Sequence, residues 1–279
     1  MSLYYDRAAA IDFGRRHQNH SLEVGGRSWS YLRGGRGRST VLFLHGVLGD
    51  GYDTGNLLLG LDGVSFVAPH LPALASLEEL AAGLEAILDR EGIDRAVVAG
   101  ISYGGALAQA FFHRRRDRVA HLFLADAFPP DRREGWRNQR NAWLWNVLPL
   151  PLMRDIFRLR MKLLLRAPGT LDAAQQAALL YCRERFEEKI QRMGRATAHG
   201  QMTLGYQFFL DDPIEAVPLA GWPGKVLLVG PNDVPRLVAG QAILERVFPQ
   251  AEKVATSGAA YLGTVVRPEQ YRKALATLL

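Results

Sequence analysis

Short apolar runs alternate with an amphipathic helical pattern along the first half of the chain. Four of these runs have the continuous apolar character of strands buried on both faces of a parallel sheet; they lie at 40–45, around 65–69, at 95–101 and at 120–127. Residues 76–91 carry apolar side chains at helical spacing, and Ser76 with Glu79 forms a predicted capping box. Residues 20–33 predict an additional hairpin. The alternation predicts an α/β fold with a doubly wound, mostly parallel sheet and helices on both faces.

The alternation stops in the middle of the chain and resumes near its end. Residues 130–215 show no convincing strand, but they contain long amphipathic stretches at 152–166 and 172–193. After them come an apolar run at 225–230, a helical pattern near 236–247, a strand near 252–256 and a last helix from Pro268. We therefore predict a core formed by 1–129 and 216–279, with 130–215 inserted as a helical cap over one end of the sheet.

The composition is that of a globular protein, but its charge is unevenly distributed. Of the 279 residues, 48% are hydrophobic and 22% are charged, which excludes disordered and fibrous chains. Residues 130–198 hold fourteen basic and seven acidic side chains, and so they carry the whole net surplus of +6. A solvated helical face is the favoured interpretation; an acidic substrate, an acidic carrier or protein partner, and a membrane surface are the alternatives. No nucleic-acid motif is visible, so nucleic acid is not expected as a partner.

The predicted cap has its own amphipathic pattern. Residues 152–166 place Leu, Ile, Phe and Met on one side and Arg on the other, which predicts a basic outer face over an apolar pocket. Several apolar side chains are candidates for lining a pocket for a small acyl or aromatic molecule, although helix packing explains them equally well. These candidates are Trp143, Trp145, Leu148, Phe157, Met161 and Leu164.

Few features of the sequence suggest an oxidising or membrane environment. The one cysteine, Cys182, excludes an internal disulfide and a Cys-rich zinc site, and its helical setting predicts that it is buried. Residues 1–20 lack the apolar segment of a secretory signal, and no apolar run approaches the ~20 residues of a membrane-spanning helix. We expect a cytoplasmic protein without a membrane span, and we expect neither a metal nor a cofactor.

Gly100, Ser102 and Gly104 form a G-x-S-x-G pattern between a predicted buried strand and a predicted helix. In this context the serine occupies a sharp strand-to-helix turn, and a Cβ at either glycine would crowd that turn. The turn would lift the Ser102 hydroxyl above the strand ends and point a helix N-terminus at developing negative charge. We predict that Ser102 is a nucleophile.

A second glycine turn, His45-Gly46-Val47, follows an earlier apolar strand. Its backbone can present the N–H of Val47 beside the N–H of Tyr103, and the two would then form an oxyanion hole. His45 is expected to hold this turn by hydrogen bonds rather than to act as a general base.

One carboxylate, Asp233, closely follows the apolar run at 225–230. An acid at the carboxyl end of a strand can orient and stabilise an imidazolium, and a serine followed by an acid is one order found in catalytic triads. Capping of the next helix is a compatible second role for Asp233.

These features together resemble the α/β-hydrolase superfamily. The resemblance covers the turn at 45–46, the pattern at 100–104, the helical insertion and the acid loop at 230–233. It implies that a Gly-His pair should follow the next strand, yet the corresponding residues are Gly258 and Ala259.

When the expected histidine position is counted back from the last helix, it falls on Tyr261 instead of Ala259. No histidine follows His199 in the sequence. The chain is similar in this respect to maspardin-like proteins, which keep the elbow serine and lack the triad histidine. The segments that carry this likeness are the elbow with its helix, 126–143 and 256–271.

Without an imidazole, the Ser102 hydroxyl has no evident general base. Asp233 is too weak a base and, in the family geometry, too remote, which leaves His199 of the late cap as a minor candidate. The resemblance therefore implies a hydrolase-like site for esters or thioesters with impaired or unusual catalysis. Two alternatives stay open: a non-catalytic, maspardin-like binding or scaffold protein, and an engineered chain in which alanine replaces the histidine of an active serine hydrolase.

Overall fold

A mixed sheet forms the centre of the computed structural model, which describes residues 4–61, 63–167, 169–212, 217 and 219–279. Its eight strands are β1 Gln18–Val24, β2 Arg27–Gly34, β3 Thr40–Leu44, β4 Ser65–His70, β5 Ala96–Ile101, β6 Val119–Ala125, β7 Val226–Pro231 and β8 Glu252–Thr256. They lie in the order β1-β2-β4-β3-β5-β6-β7-β8, and every pair from β4 to β8 is parallel. The predicted mostly parallel α/β sheet is confirmed.

The hairpin of β1 and β2 forms an antiparallel edge of this sheet. Its turn passes through Gly25 and Gly26, whose φ angles are 58° and 73°. Positive φ at both central residues gives the turn a twist that matches the flanking strands, and glycine adopts it without steric cost. β2 also pairs antiparallel with β4, which joins the hairpin to the parallel strands.

Helices cover both faces of the sheet. They are α1 Arg7–Arg16, α2 Gly55–Leu58, α3 Leu77–Arg90, α4 Tyr103–Arg114, α5 Arg132–Val147, α6 Leu150–Leu164, α7 Ala173–Arg192, α8 Arg195–Asp211, α9 Pro235–Val247, α10 Gly263–Val266 and α11 Pro268–Ala276. The serine half of the capping box predicted for α3 is present, because the Ser76 side chain accepts a hydrogen bond from the Glu79 N–H at 3.1 Å. The Glu79 carboxylate accepts from the Ala75 N–H instead of the Ser76 N–H. The sequence did not indicate α1, since its buried side chains are only Ala10 and Phe13. No helix in the described ranges is long and apolar enough to cross a membrane.

Each face of the sheet packs against its own apolar core. Along β3, Leu42 and Leu44 belong to one core and Val41 and Phe43 to the other, because successive side chains of a strand point to opposite faces. Helices α3 and α4 contribute to the first core, while α1 and α11 contribute to the second. Burial on both faces explains why these strands are continuous apolar runs in the sequence.

Helices α5 to α8 lie between β6 and β7 in the chain, in the segment predicted as a cap. Helix α5 approaches α8 closely at Gly135, where a Cβ would lie 2.7 Å from the side chain of Leu210. The predicted end of the cap, between 215 and 216, lies outside the described residues. Cys182 on α7 is a half-buried residue, and burial of its thiol raises the thiol pKa to about 12.

Helix α6 is apolar on two sides, so its outer face combines apolar and basic side chains where the sequence predicted a basic one. Met153, Phe157 and Met161 are buried, while Leu152, Ile156, Leu159 and Leu163 are exposed. Arg154 donates to the carbonyl oxygen of Met193, and Arg158 donates to the carboxylate of Glu187. Both arginines therefore bond within the cap. Trp143 is 64% exposed, which contradicts its expected place in a pocket lining.

A group of ion pairs connects α7 to the turn that follows β3. Arg185 bonds Asp50 at 2.8 Å, and Lys189 bonds both carboxylate oxygens of Asp53 at 3.0 Å. Although burial opposes ionisation of Asp50, Lys189 and Arg185 hold the pKa of its carboxyl below the usual value. The four side chains thus fix the cap against the core next to the glycine turn.

Candidate active site

Ser102 occupies the turn between β5 and α4, with φ 54° and ψ −116°. A non-glycine residue with positive φ is strained, and such strain is kept mainly where a function needs it. The backbone around Ser102 is held by hydrogen bonds, since its N–H donates to the Ala125 carbonyl at 2.8 Å and its carbonyl accepts from the Gly105 N–H at 2.9 Å. The turn is therefore fixed on both sides.

Close backbone packing explains the glycines of this turn. A Cβ at Gly100 would lie 2.2 Å from the carbonyl oxygen of Gly104, and a Cβ at Gly104 would lie 2.0 Å from that of Leu44. A Cβ at Gly105 would lie 2.4 Å from the Cβ of Ala127. Side chains at these positions would push α4 away from the ends of β3 and β5.

The glycine turn at His45 and Gly46 lies beside this elbow, because Leu44 of β3 pairs with Gly100 of β5. No acceptor for the backbone N–H of Val47 or Tyr103 occurs among the residues that the structure describes. Two unpaired N–H groups at neighbouring strand ends are what an oxyanion hole requires.

His45 is fully buried, and its Nδ1 donates to the carbonyl oxygen of Gly46 at 2.9 Å. Burial lowers the pKa of this imidazole, so the ring is neutral near pH 7. Within the described residues its Nε2 has no partner, and neither ring nitrogen bonds the Ser102 hydroxyl. This geometry matches the expected role of His45 in holding its own turn.

Asp233 lies at the surface after β7, beside the loop that follows β8. Its carboxylate accepts a hydrogen bond from the Gly258 N–H at 2.9 Å, and the N–H of Asn232 donates to the Thr256 carbonyl at 3.0 Å. The helix-capping alternative is wrong, because Val234 is the residue that precedes α9 and no side chain caps that helix. The structure thus brings the predicted acid next to the position predicted for an imidazole.

The two candidate histidine positions have different surroundings. Ala259 is 3% exposed and packs in one apolar cluster with Leu48 and with α6 side chains such as Phe157 and Met161. Tyr261 is 39% exposed and belongs to no such cluster. The Ala259 side chain therefore points beneath the cap, on the side of the glycine turn.

Helix α8 contacts both turns of the candidate site through Gln201. The Gln201 side-chain oxygen accepts from the Leu48 N–H at 3.2 Å, and its backbone carbonyl accepts from the Tyr103 hydroxyl at 2.9 Å. His199 precedes Gln201 by two residues, which places it on the opposite side of the helix. No sequence pattern indicated Gln201.

Asp126 is a buried carboxyl that the sequence analysis did not single out. It follows β6 directly with φ 48°, and its two oxygens accept from the Tyr271 hydroxyl, each at 3.0 Å. Burial raises the pKa of Asp126 to about 7, although the hydrogen bond from Tyr271 opposes that rise. The sequence feature that could have identified Asp126 is its position directly after a buried apolar strand.

Comparisons with known proteins add to this geometry. A curated relative, the soluble epoxide hydrolase of Corynebacterium sp. (strain C12), is 28% identical over 121 residues. That match spans 40% of this chain and 42% of the relative, so the chain covers less than half of the relative's length.

Similar solved structures cover almost the whole chain. An esterase from Thermogutta terrifontis (malate bound) superposes with a TM-score of 0.69 at 18% identity, over 93% of this chain and 97% of that one. The epoxide hydrolase CorEH superposes with a TM-score of 0.64 at 15% identity, over 94% and 98%. At such identities the likeness concerns the fold alone.

The model of the "Alpha/beta hydrolase family" matches residues 41–268. This range runs from β3 to the start of α11 and includes both turns and the acid loop. Because the match covers most of the chain, this protein belongs to the alpha/beta hydrolase family.

Proposed function

We propose that Ser102 is the nucleophile of an ester or thioester hydrolase site whose turnover is impaired. The observation that carries the proposal is the strained backbone of Ser102, at φ 54° and ψ −116°, in a turn where glycine neighbours permit the closest backbone contacts. A chain that needed only the fold would gain nothing from strain of about 1–3 kcal/mol at a serine.

The neighbouring groups support an acyl-transfer site. The N–H groups of Val47 and Tyr103 lie at the ends of paired strands and have no acceptor in the described part of the chain. Negative charge that develops on an ester oxygen would find these donors and the N-terminus of α4. An acyl or aromatic group would then contact the apolar underside of the cap.

Impaired turnover follows from the lack of a general base. When Ser102 attacks an ester carbonyl, the proton of its hydroxyl must pass to a base and then to the leaving alcohol. His45 is neutral but bonded to its own turn, and His70 accepts from the Gly51 N–H at 3.2 Å. His199 lies on the side of α8 away from Gln201. We infer that Ala259 stands where the family has its histidine.

An activity test separates a slow nucleophile from an inert one. The chain is treated with a fluorophosphonate probe and with a panel of aryl esters, thioesters and an aryl epoxide, the last because a relative is named an epoxide hydrolase. Loss of a triad base costs about 10⁶-fold in rate, while the other parts of the site keep about 10³–10⁴-fold over water. We expect slow labelling and weak ester turnover, both abolished by Ser102→Ala.

The matched variant is Ala259→His. Asp233 already accepts a hydrogen bond from the N–H of Gly258, which is the residue before position 259. An imidazole at 259 would therefore lie close to the Asp233 carboxylate. Crowding in the cluster around Ala259 limits the gain, since overpacking costs about 1–3 kcal/mol. We expect faster labelling and ester turnover. Fast ester turnover by the unmodified chain would contradict the proposal, because it would require another base.

A binding protein of the maspardin-like type is the second candidate. The observation that favours it is the closure of α8 over the elbow through Gln201, which occupies the Leu48 N–H beside Val47. Under this alternative, Ser102 is never labelled, and Ala259→His leaves a folded but inactive chain. The variant Gln201→Ala distinguishes the two candidates. In a binding protein, this variant would react with the fluorophosphonate probe no faster than the unmodified chain. In a hydrolase whose site is blocked by Gln201, it would be labelled faster.

A further inference from the structure

The cap exposes an apolar surface on α5 and α6 that the candidate site does not use. On α5, Trp136 and Trp143 are each 64% exposed and Val147 is 61% exposed. On α6, the exposed side chains are Leu152, Ile156, Leu159 and Leu163. We call these seven side chains the cap stripe. Single exposed apolar residues are ordinary, but a continuous set on two neighbouring helices indicates an interaction surface.

Helical spacing places each set on one side of its helix. The α5 residues are separated by seven and four positions, and the α6 residues by four, three and four. At 3.6 residues per turn, such positions fall within a narrow sector of the helix surface. The buried side of α6, formed by Met153, Phe157 and Met161, occupies a different sector. The stripe on α6 is therefore a second apolar face with no core to cover it.

The two helices that carry the stripe contact each other. They are consecutive, and the rings of Trp145 and Phe157 lie 4.9 Å apart. This contact joins the end of α5 to the middle of α6. Neither contacting ring belongs to the stripe: Trp145 lies about half a turn around α5 from Trp143 and Val147, so the contact leaves both parts of the stripe exposed.

Cations surround the cap stripe. Arg132, Arg133 and Arg140 lie on α5, Arg160 and Lys162 lie on α6, and Arg166 follows α6; all six are exposed. In the described ranges, none of the six forms an ion pair. Other arginines of these helices are neutralised: Arg137 pairs with Glu134, and Arg158 with Glu187. The surface thus combines exposed tryptophan and leucine with uncompensated positive charge.

This combination selects one kind of partner. Tryptophan and leucine beside arginine and lysine are characteristic of helices that lie in the interface of a membrane with acidic headgroups. A second copy of the chain is a poor partner, because a symmetric contact would bring the six cations against their own copies. We propose that the cap stripe docks this protein onto an anionic lipid surface, with Trp136 and Trp143 in the headgroup layer and the cations at the lipid phosphates.

Vesicle binding tests the proposal directly. The full chain is sedimented with phosphatidylcholine vesicles that contain, or lack, about one third phosphatidylglycerol, at about 0.1 M salt. We expect binding to the anionic vesicles and a blue shift of tryptophan emission, because Trp136 and Trp143 are far more exposed than Trp29 and Trp222. Each cation near an acidic leaflet strengthens binding about fivefold, so replacing Arg132, Arg133 and Arg140 by Gln should weaken it about a hundredfold.

Apolar variants distinguish docking from general charge attraction. Trp136→Ser with Trp143→Ser should lower the partition coefficient at least tenfold and abolish the emission shift. The matched control, Ile11→Ser with Val238→Ser, alters side chains of α1 and α9 that are 50% and 42% exposed and should bind as the unmodified chain does. An unchanged melting temperature confirms that each variant is folded.

Three results would overturn the proposal. One is absence of binding to the anionic vesicles at about 0.1 M salt. A second is binding that the tryptophan variant leaves unchanged, since charge alone would then explain it. The third is binding to polyglutamate without binding to vesicles, which would indicate an acidic polypeptide as the partner.

Discussion

Replacement of Asp126 by Asn should change how the stability of this protein depends on pH. Asp126 is buried at the end of β6, and its pKa is raised from 3.8 to about 7, chiefly by burial. The folded protein therefore binds this proton more tightly than the unfolded chain does. The stability that the proton provides is complete below pH ~4, decreases between pH ~4 and ~7, and is absent above that range.

The magnitude follows from the two pKa values. A difference of one unit corresponds to about 1.4 kcal/mol, so the shift at Asp126 from 3.8 to about 7 amounts to about 4 kcal/mol. Asparagine has nearly the same shape, stays neutral and keeps an oxygen that can accept from the Tyr271 hydroxyl. We expect Asp126→Asn to match the unmodified chain near pH 4 and to exceed its unfolding free energy by up to about 4 kcal/mol near pH 8.

Urea denaturation at a series of pH values measures this difference directly. The difference between the two proteins isolates Asp126 from the other carboxylates, which contribute equally to both. Tyr271→Phe removes the hydrogen bond that favours ionised Asp126, so it should extend the loss of stability to higher pH. Parallel stability curves for the unmodified chain and Asp126→Asn would refute the reasoning, because they would show that Asp126 titrates alike in both states.

Three further predictions concern local contacts of the fold. Gly104→Ala places a Cβ 2.0 Å from the Leu44 carbonyl oxygen and should lower the unfolding free energy by at least about 2 kcal/mol. The control is Gly194→Ala, whose Cβ meets nothing within 4 Å and which should cost less than about 1 kcal/mol. Equal losses of the two variants in thermal denaturation would contradict this. Lys189→Met removes the ammonium group that pairs with Asp53 and leaves the bond from the Asp50 N–H in place. It should cost about 2 kcal/mol in urea denaturation, and an unchanged midpoint would contradict this. Ser76→Ala should cost about 1 kcal/mol, and an unaltered melting temperature would show that the cap of α3 contributes nothing.

The sequence by itself determined the core elements of the fold. Strands such as β3 and β5 are buried on both faces, so nearly all of their residues are apolar, and the continuous run is visible in the sequence alone. The start of α3 at Ser76 and the hairpin turn at Gly25 and Gly26 are likewise local, because side-chain caps and positive φ depend on adjacent residues.

The elbow was also predictable from the sequence. Its geometry requires glycine within two residues on each side of Ser102, so the motif contains its own steric reason. The order of strand, serine turn, insertion and acid loop likewise indicated the α/β-hydrolase family.

The tertiary structure decided what depends on distant parts of the chain. Asp126 meets Tyr271 across 145 positions, and Leu48 meets Gln201 across 153. No local period encodes such contacts. The mixed outer face of α6 was not predicted for the same reason: a helical period shows which side chains share a side, but only the neighbours decide which side is covered. Arg154 and Arg158 bond inside the cap because Met193 and Glu187 lie there, and the leucines are left at the surface.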